Sequence, residues 1–348
     1  MTLPHGSPSA RSRASRPHIT LAAIACLGLA AAGCSSSGNP GSSAGGGSKK
    51  PAGEAKVAYA SSLDFLNQKD FFPAFTKSTG FATTDWVNSS GALEAEIAAN
   101  EIGANVFESV GGDNITPLEP KFTSWYIQYA GTSMVVAYNP KSKYASQFKA
   151  IANGKEPLKD LFTLMEKPGF KLGRTDPNVD PQGRAFIFML ELAQAYYHLP
   201  SNTVTKILGG PLASSTSPEV YSETSLDATL SSGQLDAASA YITQAKELHL
   251  DYVPLPSAIN LGDFALAAQY AKATITIMDN GVKTPKSGSP LVLDITTVGK
   301  PTSASIAFVK FLLSPAGQAI YKAGGFSLFT PTVTGTGVPA AISSELGS

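Results

Sequence analysis

The sequence predicts an α/β protein whose sheets are mainly parallel and flanked by helices. Three observations carry that expectation. From Lys56 onward, short apolar strands alternate with amphipathic helices, the order that a sheet covered on both faces requires. The stretch "SWYIQYAGTSMVVAYNP" reads as two successive strands broken at Gly131 with no helix between them, a double crossing that takes the chain from one lobe into a second. At 348 residues the chain has room for two domains or one large one.

The amino terminus differs in kind from the rest. Arg11, Arg13 and Arg16 precede the apolar run "ITLAAIACLGLAAAGC", which has the length of a signal-peptide core and is short for a bilayer span. Residues 1–33 are therefore expected to be a signal peptide. Cys34 is similar to the lipidated cysteine of a bacterial lipoprotein, although Ala31 stands where a leucine is usual; a plain signal peptide with a chance cysteine is the alternative. Residues 34–55, largely "SSSGNPGSSAGGGSKKPAG", hold too little apolar surface for a core and are expected to be a flexible tether. The two cysteines are Cys26 and Cys34, so the exported body holds no disulfide.

The whole chain carries 26 basic and 26 acidic residues, and loss of residues 1–33 leaves 23 against 26. This balance argues against nucleic-acid binding and against any bulk attraction for anions, so anion affinity must be local.

The elements follow in order. "KVAYA" is a strand and "SSLDFLNQKDFFPAFTKSTG" an amphipathic helix stopped by glycine. "FATTDWV", "NSSGALEAEIAANE" and "ANVFESV" continue as strand, helix and strand. After the double crossing, "DLFTLMEKPG" and "RAFIFMLELAQAYYHL" are helices, "SLDATLSSG" a short helix and "LDAASAYI" a strand. "YVPLP", "AKATITIM" and "LVLDITTV" return as strands, and "PTSASIAFVKFLLSPAGQAIYKAG" is a final helix.

Two features suggest a site. Ser62 and Ser90 stand where the first and second strands turn into their helices, at the carboxyl ends where ligands gather in open parallel sheets. A serine there either caps its own helix or turns its hydroxyl and the adjacent amides toward an anion. In "GRTDPNVDPQGRAFIFML" two Asp-Pro pairs and Gly183 precede a long apolar helix. Proline forbids an earlier helix start, and Gly183 leaves the amides around it open to an anion. The neighbouring carboxylates contradict that reading unless the ligand can use them.

The run "GRTDPNVDPQGR", together with "YAGTSMVVAYNPKSKYA", "SSGQLDAASAYITQAKELHLDYVPLPSAINLGD" and "AFVKFLLSPAGQAIYKAGGF", resembles the periplasmic binding proteins for molybdate and tungstate that feed ATP-driven importers. The resemblance covers nearly all the exported body. It implies the two-lobed, type II periplasmic-binding-protein fold, with hinge strands joining lobe 1 (56–130 with 254–348) to lobe 2 (131–253), closing on an oxyanion. It also implies that Ser62 and Ser90 donate to the oxyanion, with the Gln182 backbone amide and the Tyr241 hydroxyl. Asp180 and Glu223 match carboxylates that approach the metal of the oxyanion and make it six-coordinate. A hard, high-valent centre accepts such oxygen ligands, whereas sulfate and phosphate cannot expand in this way. Asp180 as a helix cap and Glu223 as a first-turn partner of the helix dipole remain open readings, and Asp176 is read as a turn former.

Departures from the family pattern are Arg184 and Ala185, where the family has tyrosine and arginine, and Asn105 in place of an aspartate. The role of Arg184 is thus open.

Other chemistry is weaker. With only His198 and His249 after the signal, and no G-x-S-x-G elbow, a serine hydrolase lacks its positioned base and a zinc or manganese site lacks a cluster. Tyr196 and Tyr197 are read as packing, and no P-loop is present. The expectation is a non-enzymatic, monomeric solute-binding lipoprotein on the outer face of the cell membrane. It would need no cofactor, bind molybdate or tungstate, and partner an ABC permease and its ATPase. Sulfate or phosphate binding, and a sensor ectodomain on the same fold, are the alternatives.

Overall fold

The computed structural model describes residues 53–215, 219–279 and 281–346. The expected signal peptide, Cys34 and the tether as far as residue 52 lie outside the described residues. The first lobe opens with β1 (Glu54–Ala60), β2 (Ala82–Asn88) and β3 (Val106–Val110), separated by helical residues 61–79 and the Ser90–Ala98 helix. β4 (Trp125–Gly131) runs straight into β5 (Met134–Tyr138), which belongs to another sheet, as the double crossing at Gly131 predicts. The second sheet is completed by β6 (Leu172–Thr175), β7 (Val220–Tyr221), β8 (Ala237–Tyr241) and β9 (Asp251–Pro254). β10 (Thr274–Asp279) and β11 (Val282–Ser287) pair only with each other, before β12 (Val292–Thr297) and β13 (Ser327–Gly335) close the first sheet.

Both sheets are mixed, not mainly parallel. In the first, ordered β13-β4-β12-β3-β1-β2, β1 is parallel to β2 and β3, but β12 runs antiparallel between β3 and β4. In the second, ordered β7-β6-β8-β5-β9, β6 is parallel to β7 and β8, and β5 is antiparallel to β8 and β9. Alternating strands and helices specify the parallel pairs only; strands arriving from distant parts of the chain take whichever direction their entry allows. Helices flank both sheets, so the α/β class holds.

Under the first sheet an aromatic cluster does the packing: Phe71 and Phe75 lie 5.1–5.9 Å, centroid to centroid, from Phe308, Phe311 or Tyr321, mostly edge to face as the ring quadrupoles favour. Buried within it, Glu108 accepts hydrogen bonds from the Tyr129 and Tyr321 hydroxyls and from Asn67 Nδ2.

The expected single final helix is two, Ser303–Leu313 and Pro315–Ala323, bent by 62°. Ser314 ends one and caps the next, accepting from the Gly317 amide, while Pro315 removes the donor that a continuous helix would need. Among the described residues no single helix is long and apolar enough to cross a membrane.

The Pro181–Tyr196 helix is buried on most sides, as a helix apolar all round must be. It packs against β6, β8, the Ser257–Asn260 turn and the β10–β11 hairpin. The Thr274 amide donates to Glu191 Oε2 at 2.7 Å and the Met278 amide to Asn178 Oδ1 at 2.8 Å. The hairpin is thus bonded both to this helix and to the Asp-Pro run before it.

Candidate functional site

The carboxyl ends of β1, β2, β3 and β8 converge with the start of the Pro181–Tyr196 helix between the two sheets. Ser62 sits, 7% exposed, in the tight turn Ser61–Leu63 directly after β1. Ser90 is the first residue of its helix and fully buried. Its Oγ accepts from the Val110 amide at 3.1 Å, a link from the second βα turn to the end of β3. Neither serine caps its helix with a side-chain hydrogen bond.

From the opposite lobe, Asp180 is the N-cap of the Pro181–Tyr196 helix, and its Oδ1 accepts from the Gln182 amide at 2.9 Å. The helix start that the sequence leaves open is thus covered by the chain's own carboxylate, the usual service of an N-terminal aspartate. The Gln182 amide is turned to Asp180, and the Gln182 side chain is the hub of the wall. Its Nε2 donates to Glu223 Oε1 at 2.7 Å and to Gln244 Oε1 at 2.9 Å, while its Oε1 accepts from Ser239 Oγ at 2.9 Å. Gln244 Nε2 in turn donates to Asp227 Oδ2 at 2.7 Å. Gly183 has a packing reason: a Cβ there would lie 2.5 Å from the Thr175 carbonyl oxygen.

Four groups of this wall are electrostatically perturbed. Burial pushes the Asp180 carboxyl up from 3.8 to about 6, opposed by the Gln182 amide and the nearby Arg184 charge. Burial, then repulsion from Asp180 and Asp227, raises Glu223 well above the usual carboxylate range, and the Ser61 side chain and Ser62 backbone of the other lobe pull it back. Asp227 is pushed up to about 7, mainly by burial. Tyr241, at the end of β8, is 2% exposed and its hydroxyl has no hydrogen-bond partner. A buried, unpaired hydroxyl costs free energy unless something comes to meet it. Burial and the charges of Asp180 and Glu223 hold that phenol protonated, hence a donor.

A cavity of about 430 Å³ opens beside this cluster, lined by Ser61, Asn88, Ser89, Val179, Asp180 and Glu223 among others, with no lysine or arginine in its wall. Among the described residues no group of three or more His, Cys, Asp or Glu side chains is placed to hold a free metal ion.

Of the six residues expected at the site, Asp180 and Glu223 line this cavity, Gln182 stands behind them with its amide bonded to Asp180, and Ser62, Ser90 and Tyr241 are buried outside the cavity wall. The sequence reading missed Gln244, Ser239 and Asp227, which lie in the "SLDATL" and "AASAYITQA" stretches without a motif of their own. It missed Asn114 too, whose Oδ1 accepts from Arg184 Nη2 at 3.0 Å. Arg184 is therefore turned to the other lobe and is 5% exposed.

Comparison with known proteins agrees with this architecture. The molybdate/tungstate-binding protein WtpA of Pyrococcus abyssi is 29% identical over 297 residues, spanning 79% of this chain and 83% of that one. WtpA of Thermococcus kodakarensis is 30% identical over 242 residues, 65% of this chain and 66% of that one. The solved periplasmic molybdate-binding protein of Azotobacter vinelandii superposes with a TM-score of 0.52 over 79% of this chain and 99% of its own, at 18% identity, a likeness of fold. The model of the family described as bacterial extracellular solute-binding protein matches residues 55–327. With two mixed sheets facing one another across a cleft of buried polar groups, the chain belongs to the bacterial extracellular solute-binding protein family.

Proposed function

We propose that the protein captures molybdate or tungstate between its two lobes and hands it to an ABC permease. The observation that carries this reading is the pair Asp180 and Glu223, buried side by side next to the unpartnered Tyr241 hydroxyl. Two carboxylates repel a simple dianion and raise their own pKa. They become useful when the anion has a high-valent metal at its centre that accepts further oxygen ligands. Ser62, Ser90 and Tyr241 would donate to the oxygens while Asp180 and Glu223 approach the metal. The Gln182 side chain, which already holds Glu223, would keep that carboxylate aimed. The names of the Pyrococcus and Thermococcus relatives support the same ligand.

Titration calorimetry on residues 35–348 with tungstate, molybdate, sulfate and phosphate tests the proposal. Tight binding of the first two alone is expected. Heat from sulfate or phosphate returns both carboxylates to structural duty, and no heat from any of them removes the capture reading.

Residues 1–33 as a signal peptide and Cys34 as a lipid-bearing anchor complete the proposal, since a tethered binding protein stays near its permease. Cys34→Ser should move the protein from the membrane to the soluble fraction; retention in the membrane would place the anchor elsewhere.

A further inference from the structure

We propose that Gly91 and Arg184 are positioning residues for anion capture, clasping the two lobes through contacts that use no anion donor and so setting how long the cleft stays shut. The inference rests on the capture reading above.

The first contact explains part of the Asp-Pro run. Asp176 Oδ1 accepts from the Asn178 amide at 2.9 Å, and the Asp180 amide donates to the Asp176 carbonyl at 2.8 Å. This tight turn presents the carbonyl of Val179 to the first lobe, where the Gly91 amide donates to it at 3.0 Å. Gly91 is the second residue of the Ser90–Ala98 helix, where glycine is a poor choice on helix propensity. Packing supplies the reason: a Cβ at Gly91 would stand 2.5 Å from the Val179 oxygen and 3.1 Å from its carbonyl carbon. The obstacle is backbone of the opposite lobe, which cannot turn aside as a side chain can. An amide in the first turn of a helix, free to meet an anion, is spent instead on closure.

The second contact comes from the other direction. Arg184, in the first turn of the Pro181–Tyr196 helix, reaches Asn114 Oδ1 at 3.0 Å beyond β3 of the first lobe. Asn114 is itself fixed, its Nδ2 donating to the Val110 carbonyl at 2.9 Å. Asp113 Oδ2 lies 3.8 Å from Arg184 Nη2 and 3.0 Å from Lys286 Nζ, so two cations of separate elements converge on one first-lobe carboxylate. A guanidinium with fixed partners on the facing lobe favours one arrangement of the two lobes.

A ligand that binds only the closed form has its affinity scaled by the closed population. Loss of a clasp contact lowers that population for every anion alike. The expected signature is a common weakening with unchanged selectivity, joined by freer opening in the absence of any anion, and the second of these is what loss of an anion donor would not produce.

The test uses the full chain in detergent, with Gly91→Ala and Arg184→Met. Alanine is favourable in a helix, so Gly91→Ala leaves the first lobe sound and obstructs only the contact with Val179. Both variants should raise the Kd for tungstate and for molybdate by about tenfold with their ratio unchanged. Without any anion, Arg184→Met should also accelerate hydrogen exchange of the peptide containing Gly91 by about tenfold, because the two contacts share one opening motion. If Arg184→Met does not fold, Asn114→Ala removes the same bond from the facing lobe. Wild-type affinity in Gly91→Ala overturns the clasp, as does unaltered exchange at Gly91 in the Arg184 or Asn114 variant. Failure of the wild-type chain to bind any oxyanion overturns the capture reading instead and leaves the exchange measurement to decide the clasp.

Discussion

Asp180→Asn separates the service of this residue to the fold from the ligand role proposed for it. Asparagine caps a helix as well as aspartate does, and its Oδ1 can still accept from the Gln182 amide that Asp180 Oδ1 holds at 2.9 Å. The substitution thus removes a charge and little else. Burial carries the Asp180 carboxyl from 3.8 to about 6, so the folded protein binds this proton more tightly than the unfolded chain does. The resulting stability is present in full below pH 3.8 and is lost as pH rises through about 6. At about 1.4 kcal/mol per unit, the ionised form is penalised by about 3 kcal/mol. Asp180→Asn should therefore come close to the wild type near pH 4, pull ahead mostly between pH 4 and pH 6, and level off above that. The gain should approach about 3 kcal/mol by pH 8, or about 5–10 °C in Tm. Loss of the Asp180 charge also relieves Glu223, which it repels, in the same direction. Thermal melts of both proteins from pH 4 to pH 8 make the comparison. A variant no more stable than wild type at pH 8, or equally favoured at pH 4 and pH 8, would refute the buried-charge argument. The same variant should lose tungstate affinity, a stability–function exchange of the kind expected where a site holds groups that strain the fold.

Two further perturbations test the supports of the site. Ser90→Ala leaves the buried Val110 amide without its acceptor, so denaturant unfolding should show a loss of about 1–3 kcal/mol, whereas Ser62→Ala, with no such bond to lose, should leave the unfolding midpoint unchanged; equal effects would contradict the geometry. Glu108→Ala strips the acceptor from Tyr129, Tyr321 and Asn67 at once and should cost about 3–5 kcal/mol, while Glu108→Gln keeps an acceptor oxygen and should cost clearly less; a similar loss for both would show that the carboxyl charge, not the hydrogen-bond pattern, holds this cluster.

What the sequence determined by itself was local. The alternation from Lys56 to Val110 placed β1 to β3 and the two serines, because amphipathic periodicity and strand-to-helix turns are short-range properties. Gly131 marked the passage between sheets. The Asp-Pro run marked a helix start, since proline excludes an earlier one. Signals of the same short range went unread at "TITIMDNGVKTPKS", where Asn280-Gly281 between alternating strands announces the β10–β11 hairpin, and at Ser314-Pro315, which divides the final helix.

The tertiary structure alone decided the rest. The direction of β12 between β3 and β4 depends on where a distant segment enters the sheet. The covering of the helix start by Asp180, the Gln182 hub with Ser239 and Gln244, and the pairing of Arg184 with Asn114 join residues up to 70 positions apart. No periodicity records such meetings. They arise because closing two lobes removes polar groups from water, and each buried donor must then find an acceptor wherever the fold has brought one. The Tyr241 hydroxyl, at the end of β8, is one of the buried groups that find none.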